Sequence, residues 1–358
     1  MADSTPSTRT GFSPDRAAYQ LAQRLRTAWF SGHYALTARL TPPTGRRDND
    51  AGTPQKRGPS WNTINADLAD LFRRDWENIE SGLYRLPHDM WPNPAAVLRR
   101  SIDYFRDLGA VNRRRRDRNG NEVFEAAQGR PYPRYYLQNF HYQTDGYLSA
   151  ESAKLYDYQV EVLFTGGADA MRRQLLVPLR ACFENMPVRN ARMVDVACGT
   201  GRFLSFVKHN YPRLHVTGLD LSAPYLSEAR RQLRHWSRTA LCVAQAEQLP
   251  LETASTDIAS CIFLFHELPR AVRRQAAAEF ARILRPGGAL LFMDSIQVGD
   301  RPDYDPLLDR FPQTMHEPYY ADYIRDDLTR LFGDAGFELL SQERAFFARA
   351  MVLRRLPG

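Results

Sequence analysis

The chain of 358 residues is poor in cysteine, with four, Cys182, Cys198, Cys242 and Cys261, widely spaced and never paired as Cys-x-x-Cys. That excludes a disulfide-built scaffold and a zinc ribbon, and fits reduced thiols. Long apolar runs are also missing. The longest, Ile258 to Phe265, is interrupted by Ala259, Ser260 and Cys261, and falls far short of the roughly 20 residues a membrane-spanning helix needs. No membrane span is expected. Residues 1–12 lack the apolar stretch that opens an export signal, so the chain reads as cytoplasmic. Concentrated charge is the third absence. The net charge is +7, but residues 1–165 carry 23 basic and 19 acidic groups and residues 166–358 carry 25 and 22. Neither half is a basic surface, so nucleic acid is not the expected partner. The one tight run, Arg113 to Arg116 with Arg118, reads as a solvated loop ahead of the Asn119-Gly120-Asn121 turn.

What is present is an ordinary globular composition, 43% hydrophobic and 25% charged, in a chain long enough for two domains. Ser13 followed by Pro14 opens a helix with Leu21, Leu25 and Trp29 on one face. Thr41 to Ser60 is dense in Pro, Gly and charge without hydrophobic periodicity, and reads as a flexible linker. From Trp61, two helices carry apolar residues at a 3.6-residue period, the second opened by Asn93-Pro94. Residues 131–164 are rich in tyrosine and phenylalanine, whose flat rings suit a ligand pocket. From Gly166 onward strand and helix patterns alternate. Asp169 is expected to cap a helix through Phe183, and a last helix is expected over Ala321 to Ala335. Such alternation predicts a Rossmann-like, doubly wound, mainly parallel sheet. The division is therefore a peripheral helix and linker (1–60), a helical, aromatic-rich cap (61–165) and an α/β domain (166–358).

The strongest chemical signal is Val194-Asp195-Val196-Ala197-Cys198-Gly199-Thr200-Gly201, at a strand end and before a helix. Gly199 and Gly201 let the backbone turn tightly and approach a ligand. A dinucleotide loop would want a glycine at 204, where Leu204 stands, and a P-loop would want Lys-Ser or Lys-Thr after the glycines. Asp220 follows 19 residues beyond Gly201, at the end of the next strand, where a carboxylate can accept both hydroxyls of a ribose. The pair suits a nucleoside cofactor without a pyrophosphate.

With these residues the sequence resembles the class I S-adenosylmethionine-dependent methyltransferases, particularly the small-molecule branch that includes the ubiquinone and menaquinone C-methyltransferases. Four elements in order carry the likeness: VDVACGTG at 194–201, GLDLS at 218–222, AEQLPL at 246–251 and LRPGGALLFMD at 284–294. The resemblance implies a seven-stranded sheet with an antiparallel last strand, and S-adenosylmethionine as cofactor. It also implies that Asp195, Ala197, Gly199 and Gly201 surround the methionine part, that Asp220 holds the ribose, and that Leu221 lies against the adenine. Where the family often has Asp-Ala-Glu after the third strand, this chain has Gln245-Ala246-Glu247. The Gln245 carbonyl can still accept from the adenine amino group.

Methyl transfer requires the acceptor to be positioned and water excluded, with a base only if the acceptor loses a proton. His266 and Glu267, after the fourth strand, are the candidates for base or clamp. Asp294 ends the fifth strand, and the loop holding His316 and Tyr319 is expected to close over the site with His141, Tyr142 and Tyr147. No Asn/Asp-Pro-Pro-Tyr/Phe motif, Pro-Cys nucleophile or paired-glutamate loop is found, so the expected partner is a small or lipophilic organic acceptor. An RNA methyltransferase, and a non-catalytic module keeping the cofactor fold, are the rival readings. A nicotinamide oxidoreductase would need a Tyr-x-x-x-Lys pair and the third loop glycine.

Overall fold

A computed structural model describes residues 13–41, 58–127, 129 and 131–357. Most of the linker expected over Thr41 to Ser60, and the N-terminal residues 1–12, lie outside the described residues. Capping side chains set the first helices. Ser13 Oγ accepts from Arg16 N at the start of α1 (Pro14–Leu40), Ser60 Oγ from Thr63 N at α2 (Trp61–Glu80), and Asn93 Oδ1 from Ala95 N at α3 (Pro94–Asp117). A short α4 (Glu122–Ala126) follows. The aromatic-rich segment, for which no helix is predicted, winds through two 3₁₀ turns at Arg134–Tyr136 and Phe140–Tyr142, then enters α5 (Ala150–Leu163), capped by Ser149.

Two features here differ from what the sequence pattern alone suggests, for identifiable reasons. The face of α1 carrying Leu21, Leu25 and Trp29 is largely exposed; the helix docks instead through Tyr19, Ala22 and Phe30 and through Arg26, which pairs with Glu161 and Asp169 at 2.7 Å. The arginine run is not a loop. It forms the end of α3, with Arg118 closing it in the left-handed region at φ 51°. Arginine is a good helix former, and positive charge suits a helix C-terminus. Arg114 then reaches Glu122 at 2.5 Å and Thr144 Oγ1 at 2.9 Å, which ties the helix end to the segment leading to α5.

The α/β part begins with α6 (Ala168–Arg173) and α7 (Leu176–Ala181), two short helices where one was expected. Asp169 caps nothing with its side chain, because Arg26, Arg172 and Arg202 occupy both of its oxygens. Then come β1 (Arg192–Val196), α8 (Arg202–Asn210), β2 (His215–Asp220), α9 (Ala223–Leu233), β3 (Thr239–Val243), β4 (Thr256–Ile262), α10 (Arg270–Ile283) and β5 (Leu284–Ser295). The Pro286-Gly287-Gly288 turn survives inside β5 as an irregularity, where pairing jumps from Thr256↔Leu284 to Ile258↔Ala289. A helix not foreseen, α11 (Asp305–Thr314), precedes α12 (Tyr320–Tyr323) and α13 (Leu328–Asp334). These last two replace the single helix expected over 321–335, because Asp327 starts a new one with its own cap on Arg330 N. The chain ends in β6 (Phe337–Ala345) and β7 (Ala348–Arg355).

The seven strands lie in the order β3-β2-β1-β4-β5-β7-β6, parallel from β3 to β5, with the last strand β7 antiparallel to both of its neighbours β5 and β6. Successive residues face opposite sides, which splits the core in two. Val194, Val196, Ala259, Leu290 and Phe292 join Phe265, Phe280 and Phe332 on the α10 and α13 side. Met193, Ile258, Leu291 and Met293 join Met171, Phe206 and Leu226 on the other side, with α6, α8 and α9. The strand order reverses between β1 and β4, so their carboxyl ends splay apart and leave a crevice, the usual binding place of an open parallel sheet. Among the described residues no helix is long and apolar enough to cross a membrane.

Candidate active site

The loop after β1 folds at that crevice. Ala197, Gly199 and Gly201 all take positive φ, at 57°, 55° and 77°. A Cβ on Gly199 would meet nothing within 4 Å, so the loop leaves open space there, whereas one on Gly201 would stand 3.1 Å from Leu233 Cδ1 and 3.2 Å from Ala229 Cβ. The first glycine thus opens the crevice; the second lets α9 pack against the start of α8. Asp220, at the end of β2, accepts from Gly199 N through Oδ2 and from Ser222 N through Oδ1, both at 2.8 Å. Each oxygen keeps a lone pair. Burial pushes this carboxyl up to about 6 against the pull of the two amides. Asp195, at the end of β1, is 2% exposed and accepts from Ser260 Oγ at 2.5 Å; burial drives it up to about 7. The Cys198 thiol is pushed well up by burial and stays protonated, in keeping with a small residue that fills the loop.

These residues line a cavity of about 1000 Å³, open mouth included. Of the residues expected to hold a cofactor, Asp195, Ala197, Gly199, Asp220, Leu221, Gln245 and Ala246 face it. Gly201 and Glu247 do not; Glu247 accepts from Tyr135 OH at 2.5 Å and so fastens the cap to the β3 end. The cap closes the other side with Tyr135, Tyr136, Phe140, Tyr147 and Tyr156. All five belong to the aromatic-rich segment expected to suit a ligand pocket, and Tyr147 is the one singled out there as a substrate contact. Thr200 and Asp157 also line the cavity and bond to each other at 2.8 Å, a link from the glycine loop to α5.

A second cavity, of about 1430 Å³ with its mouth, shares Tyr147, Tyr156, Phe263 and Glu267 with the first. Its walls are mostly apolar, from Tyr34 of α1, Trp61 and Ile64 of α2, Val160 of α5, Phe311 of α11 and Phe347. Its polar lining residues are His141, Thr165, His266, Glu267, Ser295 and Arg310, and His141 and His266 stand with Glu317 in one cluster. Asp294 is fully buried and accepts from three backbone amides, of Leu264, Phe265 and Ser295. It also holds His266 Nδ1 at 2.6 Å, so Asp294 lines neither cavity and orients the histidine instead. Burial opposes a charged His266 ring, but Asp294 outweighs it and, with Glu267 and Glu317, holds its pKa at about 10. Burial pushes the Glu267 carboxyl up to about 7, although His266 pulls it down; its Oε1 accepts from Tyr147 OH at 2.5 Å.

The other expected substrate residues divide. His141 lines the second cavity. Tyr142 is buried against the His316 ring, 5.4 Å between centroids, and His316 Nε2 lies 3.2 Å from Gln138 Oε1; neither faces either cavity, nor does Tyr319. The loop turns its next residue inward instead. Glu317 is 2% exposed, with Oε1 2.8 Å from His141 Nε2.

Residues 193–288, from β1 to the turn inside β5, match a family model described as a methyltransferase domain. By that match this region is a methyltransferase domain. An O-methyltransferase of Penicillium expansum is 32% identical over 158 residues, 43% of this chain and 54% of that protein. A ubiquinone/menaquinone biosynthesis C-methyltransferase of Methylobacterium nodulans is 32% identical over 162 residues, 44% and 62% of the two chains. A malonyl-[acyl-carrier protein] O-methyltransferase of Xylella fastidiosa is 36% identical over 102 residues, 28% and 33%. The chain thus spans between a third and two thirds of the length of these relatives. The methyltransferase domain holds the glycine loop, Asp220, the 245–247 segment and His266-Glu267; the cap and Glu317 lie outside the matched residues.

Proposed function

We propose that the protein transfers a methyl group from S-adenosylmethionine to a small or lipophilic organic acceptor. The observation that carries this reading is the pair of adjoining cavities, one floored by the glycine loop and Asp220, the other apolar, meeting at Tyr147 and Glu267. The residues present suit the cofactor. The open space over Gly199 accommodates a ligand, Asp220 has a free lone pair on each oxygen for the ribose hydroxyls, and Asp195 offers a buried carboxylate to a cationic amino group. Leu221 and Ala246 would flank the adenine and Gln245 would accept from its amino group. When bound, the cofactor supplies an electrophilic methyl carbon on a sulfonium.

The remaining work is this chain's own. Tyr156, Phe263 and Phe164 shield the junction from water, and Glu267, facing both cavities, is placed to take the acceptor's proton. Tyr147 donates to Glu267 and holds its orientation. His266, fixed by Asp294, presents its other ring nitrogen to the acceptor cavity. We take residues 166–358 as the methyltransferase unit and 61–165 as its cap, with 1–60 contributing Tyr34 to the acceptor wall. The free thiols of Cys182, Cys198, Cys242 and Cys261 support a reducing, cytoplasmic setting. The test is an acceptor screen read by formation of S-adenosylhomocysteine and by a one-methyl mass gain of the acceptor. A hit should lose roughly 10²–10⁴-fold in turnover on Glu267→Gln while cofactor affinity holds; equal turnover would remove Glu267 from the reaction.

A further inference from the structure

We propose that His141, His266 and Glu317 bind a divalent transition-metal ion beside the acceptor cavity. The three residues come from separate places: the 3₁₀ turn of the cap, the segment after β4, and the loop before α12. Their nearest ligand atoms all lie within 4.8 Å of one another. Around an ion with bonds of about 2.1 Å, donor separations run from about 3 to 4.2 Å, so small side-chain movements complete the set.

Three further observations point to a cation here. Glu317 is 2% exposed and neither carboxylate oxygen has a hydrogen-bond partner; His141 Nε2 lacks one too, despite its 2.8 Å approach to Oε1. A buried carboxylate without donors is costly, and a metal ion removes that cost. His266 is oriented as a ligand, because the bond from Nδ1 to Asp294 at 2.6 Å fixes the ring and turns Nε2, whose proton a metal ion would displace, away from it. His141 and His266 both face the second cavity, so coordination positions remain open toward an acceptor. Two imidazoles and one carboxylate favour ions such as zinc, iron(II), manganese(II) or cobalt(II) over magnesium or calcium.

The role follows from the position, and rests on the methyltransferase reading. An ion at this point holds an acceptor oxygen of a hydroxyl, or of two adjacent oxygens, as its anion, while the proton passes to Glu267. The acceptor class is then an oxygen nucleophile on a lipophilic framework.

The probe is cobalt(II), titrated into the chelator-treated full-length protein without cofactor and followed by its visible ligand-field bands. Saturation at one equivalent is expected, with zinc displacing the bands. Glu317→Gln and His141→Ala should each weaken cobalt binding by more than about 100-fold, and Asp294→Asn by about 10–100-fold. S-adenosylhomocysteine affinity should stay at the wild-type value in the Glu317 and His141 variants, which certifies their folding and separates this test from the cofactor reading. Absence of saturable cobalt binding in the wild type, or bands unchanged in Glu317→Gln, overturns the proposal. In that case the His141 to Glu317 contact is an ion pair alone.

Discussion

Asp75 offers a direct test of how the N-terminal helices are joined to the methyltransferase domain. It is fully buried on α2 and receives Tyr19 OH of α1 at 2.5 Å, Tyr84 OH at 2.6 Å, and Arg173 of α6 through Nε at 3.0 Å and Nη2 at 2.5 Å. Arg173 is itself 4% exposed. Removing one member of a buried ion pair costs about 3–5 kcal/mol, because the remaining charge stays in the interior unpaired. Each tyrosine hydroxyl left without its acceptor adds about 1 kcal/mol. Asp75→Ala should therefore cost about 5–7 kcal/mol, and Asp75→Asn, which keeps the shape and one acceptor, about 3 kcal/mol. For a chain of 358 residues, with an unfolding entropy of about 2.1 cal/mol/K per residue, 3 kcal/mol lowers Tm by roughly 4 °C. Urea unfolding followed by far-ultraviolet ellipticity measures it. Arg73→Ala, which removes exposed pairs to Asp70 and Glu77 on the same helix, serves as control and should leave the midpoint unmoved. A loss below about 1 kcal/mol for Asp75→Ala would refute the argument, since it would mean that water reaches the node or that Arg173 finds another partner.

Other outcomes follow from the site. Affinity for S-adenosylhomocysteine should rise from pH 5 to pH 8 as Asp220, held at about 6, and Asp195, held at about 7, lose their protons, with up to about tenfold per pH unit below each value. Isothermal calorimetry of Asp220→Asn should show only the upper step, and an unchanged profile would remove Asp220 from the cofactor contact. In the unliganded protein the sign reverses: the folded Asp220 carboxyl keeps its proton above the ordinary 3.8, so its contribution to stability is lost as pH rises toward 6. Gly201→Ala should cost about 1–3 kcal/mol in urea unfolding, because φ is 77° and the methyl meets Leu233 and Ala229 at 3.1 and 3.2 Å; a neutral result would mean that α9 can shift freely. Tyr147→Phe should lower turnover on any identified acceptor without changing cofactor affinity, and a change in affinity alone would place Tyr147 on the cofactor side only.

How much of this was legible in the sequence depended on how local each signal is. The glycine loop, Asp220 and the mainly parallel, doubly wound sheet follow from short motifs at strand ends, where Gly199 N and Ser222 N both bond to Asp220. The local structure of the expected aromatic-rich cap did not follow. Its 3₁₀ turns and α5 are fixed by distant partners, such as Tyr135 on Glu247 and Thr200 on Asp157, which no periodicity records. The docking face of α1 was not legible, because leucine spacing marks one face whereas the helix is held by Tyr19 on Asp75 and by Arg26 on Glu161 and Asp169. In the loop before α12 the choice of His316 over Glu317 was one of phase. A loop has no period, so only the fold decides which of two adjacent residues turns inward.

The central claim is that the crevice between β1 and β4 binds S-adenosylmethionine through Asp220. Calorimetric titration of S-adenosylmethionine and S-adenosylhomocysteine into the wild type and into Asp220→Ala tests it most directly. Loss of two charge-assisted hydrogen bonds should weaken binding by about 3–5 kcal/mol, roughly 10²–10⁴-fold. Saturable one-site binding to the wild type, weakened to that extent in the variant, is the result predicted. No binding by the folded wild type, or equal affinities for the two proteins, would contradict it.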